Sequence, residues 1–202
     1  YDQAIEIRER LRQQGRLLDE NHLAQAYMNR GVAKRVLQDL AGALSDYDQA
    51  IEIRERLRQQ GRLLDENHLA QAYMNRGVAK WVLQDLAGAL SDYDQAIEIR
   101  ERLVFEGRFW QRAGLFMTYY IAFLLFKKYR DVKALEKLGK QALSAVRAAL
   151  GDGRLTPGAI RELNDLMQLM VEHPHLPEAQ RQQWLEVARG LEARAGNDTE
   201  GG

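Results

Sequence analysis

Apolar residues recur along most of this chain at intervals of three and four, the period of amphipathic helices, and no stretch alternates with the period of two that a half-buried strand needs. The spacing predicts helices over residues 1–14, 19–37, 40–60, 65–83, 86–106, 109–130, 132–150, 157–172 and 178–195. Punctuation agrees with these limits. Gly61 stands where a left-handed C-terminal cap is expected, Thr156-Pro157 reads as N-cap and first helical residue, and Pro174 with Pro177 breaks the chain between the last two helices.

Self-similarity organises the helices into pairs. Residues 1–46 and 47–92 match at every position but one, Arg35 against Trp81, so the period is 46 residues. A third copy starts at Tyr93, is unchanged through Leu103 and then diverges. Each unit is expected to be a helical hairpin turning at Asp39-Leu40-Ala41-Gly42. Its second helix carries Leu40, Ala43, Leu44, Tyr47, Ala50, Ile51 and Leu57 on one stripe, with Asp46, Asp48, Glu52 and Arg56 largely outside it. A lone hairpin cannot bury such a stripe, whereas stacked hairpins share one continuous core.

Tyr27, Gly31, Ala43, Tyr47 and Ala50, and again Tyr73, Gly77, Ala89, Tyr93 and Ala96, resemble the aromatic and small-residue pattern of the tetratricopeptide repeat. The long period and the run Ala50 to Leu57 resemble the kinesin-light-chain-type and bacterial members. Arg30 and Lys34 depart from that pattern, standing where the family usually has Leu and an aromatic. The resemblance implies an all-α, TPR-like α-solenoid, a right-handed superhelix of antiparallel helical hairpins with a divergent helical C-terminal cap. The expected divisions are near-identical repeats over 1–106, a divergent unit over 107–150, a cap over 151–196 and a disordered tail over 197–202. In the divergent unit Tyr119, Asp131 and Ala142 take the slots of Tyr73, Asp85 and Ala96, and Phe123 replaces Gly77, so close helix approach should be lost there.

Charge and composition remove several classes of function. Lys plus Arg and Asp plus Glu each number 29, which leaves no net field for nucleic acid or anionic lipid. The apolar run Gly114 to Phe126 is too short to span a membrane and is read as a buried core helix. Without cysteine there are no disulfides, thiolate nucleophiles or cysteine-based zinc sites, and the compartment stays open, with the cytoplasm as default. His22 and His68 recur one period apart, too distant to share a metal, and are expected in caps or loops. His173-Pro174-His175 lacks an evident third ligand. With no nucleophile elbow or phosphate loop either, no catalytic residue, metal or cofactor is expected. Glu52 to Arg56 is expected to form i,i+4 pairs on a solvated face.

What remains is binding. Gln25, Met28, Asn29, Val32 and Arg35 share one face of the first helix of a unit, repeated as Gln71, Met74, Asn75, Val78 and Trp81. By resemblance this is the concave face, and it lacks the cations of a clamp for C-terminal carboxylates. The asparagine amides suit the backbone of an extended peptide, or merely bond neighbouring helices. Trp81 is either a binding anchor or packs near Phe109 and Trp110. A protein or peptide is therefore the expected partner, with RNA disfavoured for want of a basic ladder. Self-assembly is the alternative, because the chain opens on the second helix of a unit and Ala4, Ile5, Ile7 and Leu11 would lie on an uncovered edge able to make a homo-oligomer.

Overall fold

The computed structural model describes residues 1–17, 19–127 and 132–199. Its elements are α1 (Asp2–Gln13), α2 (Glu20–Val36), α3 (Leu40–Gln59), α4 (Glu66–Val82), α5 (Leu86–Phe105), a 3-10 turn (Phe109–Gln111), α6 (Arg112–Lys127), α7 (Val132–Asp152), α8 (Pro157–Glu172) and α9 (Glu178–Thr199). Among the described residues there is no strand. The expected helix at 109 begins instead as the 3-10 turn, and α9 runs beyond the expected end at 195 to Thr199. Asp131 and residues 200–202 of the expected tail lie outside the described residues.

Helix limits follow from local chemistry. The carboxylates of Asp19 and Asp65 accept from the backbone N–H of Asn21 and Asn67 (2.8 and 2.9 Å), and Asp39 and Asp85 do the same for Gly42 and Gly88 (2.9 and 3.0 Å). These aspartates, not His22 or His68, are the caps; both histidines lie exposed in the first turns of their helices. Gly61 ends α3 at φ +66°, as its position required, and Thr156 caps α8 with Pro157 as its first residue.

The chain forms two compact units, residues 1–99 and 100–202. In the first, α1 packs on α2, α2 on α3 and α3 on α4, so each hairpin buries its stripe against the next. Tyr47, Tyr93, Ala43, Ala50 and Leu57 are buried as expected. Asp46 is the correction: expected outside the stripe, it is 2% exposed, and Asp92 matches it. Asp46 accepts from Arg30 Nε and Nη2 (2.8 and 2.6 Å) and from Lys34 Nζ (2.9 Å), while Arg30 Nη1 reaches back to Asp2 in α1 (2.8 Å). One period on, Arg76 and Lys80 hold Asp92 at 2.6 to 2.9 Å, and Arg76 reaches back to Asp48 at 2.6 Å. The family departures at 30 and 34 thus supply the cations that make a buried carboxylate tolerable.

The run Glu52 to Arg56 is also corrected. Arg54 is buried, and burial pushes its guanidinium down to about 10, still charged at neutral pH. It donates to the His68 carbonyl (2.9 Å) and to Gln25 Oε1 (3.0 Å). Arg56 pairs with Glu20 across the hairpin, and Glu55 accepts from the Tyr73 hydroxyl (3.0 Å). These charges join helices rather than decorating one face.

In the second unit, part of the repeat pattern persists. The Tyr119 hydroxyl donates to Glu101 (2.7 Å), repeating Tyr27 to Glu9 and Tyr73 to Glu55, and Arg100 donates to the Gly114 carbonyl (2.7 Å) and bonds Thr118. Phe123, fully buried, stands edge-on to His173 with centroids 6.3 Å apart. Among the described residues α6 packs more extensively on α8 than on α7. A phenyl ring in the glycine slot is too bulky for the hairpin approach seen in the first unit.

Asp152 at the end of α7 accepts from both terminal nitrogens of Arg112, and this contact holds its carboxyl down to about 2. An unfolded aspartate titrates near 3.8, so the folded value is the lower one. The pair's stabilisation is therefore complete above about pH 4 and lost as pH falls towards 2. Because the carboxylate is largely exposed, solvent screens the effect. Thermal melts are expected to fall more steeply over that window for the wild type than for Asp152→Asn; parallel curves would show that the pair contributes nothing.

Candidate functional site

Helices α2 and α4 stand side by side in the first unit, which brings the two copies of the expected binding face together. Gln25, Asn29, Val32 and Arg35 on α2 are half-buried, as are Met74, Asn75, Val78 and Trp81 on α4, and Gln71 is exposed. Met28 departs from the expectation: at 3% exposure it belongs to the core, although Met74, its identical counterpart, does not. Two residues in the same slot differ only through their neighbours, so sequence identity could not have separated them.

The amides differ in the same way. Gln25 is engaged twice, accepting from Arg54 and donating to Asn29 Oδ1 (3.0 and 2.9 Å), which fixes both side chains. On α4 neither Gln71 nor Asn75 has a hydrogen-bond partner among the described residues. An amide presents one donor and one acceptor side by side, the pattern of a peptide group, so the α4 copy keeps its capacity for backbone recognition. Structural bonding thus accounts for Gln25, but leaves Gln71 and Asn75 unaccounted for.

Beside the face lies apolar surface that the periodicity did not single out. Val36 and Leu37 at the end of α2, and Val82 and Leu83 at the end of α4, are exposed. The signal was present in the sequence as two apolar residues directly before the turn in both copies. The turns themselves contain Gln38 and Gln84 at φ +65°.

At the expected self-association edge, Ile7 is 48% exposed, whereas its counterparts Ile53 and Ile99 are 1% and 3% exposed. Ala4 and Leu11 are half-buried. Ile5 is buried, contrary to the expectation that it would be uncovered, because α1 already packs that flank on α2. The edge is narrower than expected and centres on Ile7 and exposed Tyr1.

No group of three or more metal-ligating side chains occurs among the described residues, and among them no helix is long and apolar enough to cross a membrane. Trp110 is exposed, and Phe109 lies under the guanidinium groups of Arg112 and Arg154, 4.9 and 4.6 Å from its centroid.

Comparison with curated proteins finds no match to the chain. Comparison with family models matches the tetratricopeptide repeat twice, over residues 23–63 and 67–104, which take in most of α2 with α3 and nearly all of α4 and α5. Repeats of this family are in general non-catalytic scaffolds that mediate protein–protein interaction. With helical hairpins, buried aromatic and small-residue slots and a family match in each of two successive repeats, residues 23–63 and 67–104 of this chain are tetratricopeptide repeats of a long kind.

Proposed function

We propose that the chain is a scaffold that holds an extended peptide segment of a partner protein against the face of α2 and α4. The observation that carries this reading is the pair Gln71 and Asn75, amides on the accessible face with no partner among the described residues, flanked by Val78 and Trp81. The amides bond the peptide backbone, and the apolar pair receives a side chain, with tryptophan supplying large contact area at low conformational cost. A displayed library of random peptides tests it. Peptides enriched on the wild type are expected to lose binding to Asn75→Ala and Trp81→Ala and to keep it on Lys140→Ala, a variant of the exposed cation of α7. Enrichment indifferent to Asn75 and Trp81 would refute the placement.

A second reading, homo-oligomerisation through α1, is favoured by the exposure of Ile7 where its two counterparts are buried. Light scattering over a wide concentration range tests it. A mass that rises with concentration and returns to monomer in Ile7→Lys supports it; a constant monomer rejects it.

A further inference from the structure

The one difference between the two repeats falls on this face, and it exchanges a cation for an indole. The other cations of α2 and α4 are committed: Arg30 and Lys34 to Asp46, Arg76 and Lys80 to Asp92. Arg35 alone of these arginines and lysines has no carboxylate among the described residues. Asp39 caps α3 through Gly42, Asp46 and Asp2 hold Arg30, and Glu20 holds Arg56. The Arg35 guanidinium lies beside the Tyr47 hydroxyl, yet neither Arg35 Nε nor Tyr47 Oη is aligned with a hydrogen-bond partner. A half-buried guanidinium with its inner nitrogen unsatisfied gains more from an incoming anion than a fully solvated one does.

Resting on the peptide-binding reading above, we infer that the face selects its peptide by charge: Arg35 takes an aspartate or glutamate side chain, and Trp81 takes an apolar residue. Layers of packed helices stand about 8–10 Å apart. An extended peptide rises about 3.3 Å per residue, so the two anchors lie about three residues from each other. The carboxylate pairs with the outer nitrogens of Arg35, a charge-assisted contact, and half-buried Val32 and Val78 stand about one helical turn before the two anchors.

The two repeats themselves suggest the variants to test. Arg35→Trp turns the first repeat into a copy of the second, and Trp81→Arg does the reverse, so each residue enters a slot that holds it in the other copy. From the random peptide library, wild-type protein is expected to enrich sequences with an acidic residue about three positions from an apolar one. Fluorescence anisotropy of an enriched peptide should show its Glu→Gln twin binding about tenfold more weakly to wild type. On Arg35→Trp the peptide and its twin should bind alike, and Trp81→Arg should shift the selection towards two acids. Enriched peptides without an acid, or an acid preference that survives in Arg35→Trp, would overturn the inference while leaving peptide binding intact. A library that enriches nothing would overturn both.

Discussion

Replacing Asp46 with alanine is expected to destabilise the first unit by about 3 kcal/mol, the lower end of the range for breaking a buried ion pair. That carboxylate is almost fully buried and satisfies two cations at 2.6 to 2.9 Å. Its removal leaves Arg30 and Lys34 next to an apolar stripe with only the exposed Asp2 as counter-ion for one of them. The two cations remain partly exposed, which moderates the penalty, since water can reach them after the mutation. Chemical denaturation should report the loss, and Asp92→Ala should match it because Arg76 and Lys80 repeat the geometry. A change below about 1 kcal/mol in both would mean that the pairs behave like screened surface pairs. A rescue sharpens the argument. Arg30→Leu with Lys34→Tyr restores the residue types that the family pattern has at those slots, and combined with Asp46→Leu it converts the triad to apolar packing. Such exchanges are often neutral or stabilising, so the triple variant should recover most of the loss. If it melts no higher than Asp46→Ala alone, the charged triad is needed for packing itself.

The hairpins were legible because the 46-residue identity, the Asp39-Leu40-Ala41-Gly42 turn and Gly61 all agree on where the helices end. Periodicity could not show which polar residues enter the core. Asp46 was read as an outer residue, since a carboxylate in an apolar stripe is unfavourable until its partners are known, and those partners lie 12 and 16 positions away on another helix. The clue was already in the sequence: Arg30 and Lys34 break the family pattern in the same unit that carries the misplaced aspartate. Met28 fails for another reason. Its burial depends on what stacks beside α2, and Met74, with identical local sequence, is half-buried. Ile5 and Ile7 show the same limit within one helix, where the uncovered edge was foreseen and its width was not. On the candidate face, helical position alone could not show the commitment of Gln25 to Arg54, which is a contact 29 residues away. The signal that separates Gln71 from Gln25 is tertiary.

Replacing Gly31 with alanine is expected to destabilise by about 2 kcal/mol, against the usual direction for a helical glycine, where alanine gains about 1 kcal/mol. A β-carbon at Gly31 would sit 2.7 and 2.9 Å from two ring carbons of Tyr47 and 3.3 Å from the Ala43 carbonyl. Tyr47 is fully buried, so its ring cannot swing aside without displacing the core of the hairpin. Gly77 provides the internal control. There the nearest atoms, Tyr93 Cζ, the Ala89 carbonyl and Asp92 Cβ, lie at 3.2 to 3.3 Å, a crowding that a shift of a few tenths of an ångström relieves. Helix propensity should offset much of that smaller strain, so Gly77→Ala is expected within about 1 kcal/mol of wild type. The ordering of the two variants therefore measures packing in two copies that differ in sequence only at the i+4 position, Arg35 against Trp81. Equal destabilisation would mean that the two hairpins close to the same distance in solution. If both variants were stabilised, close approach at these glycines would not hold the hairpins together. In the second unit the same slot holds Phe123. Phe123→Gly should therefore destabilise rather than restore a tight hairpin, because removing a fully buried ring that packs edge-on to His173 leaves a cavity.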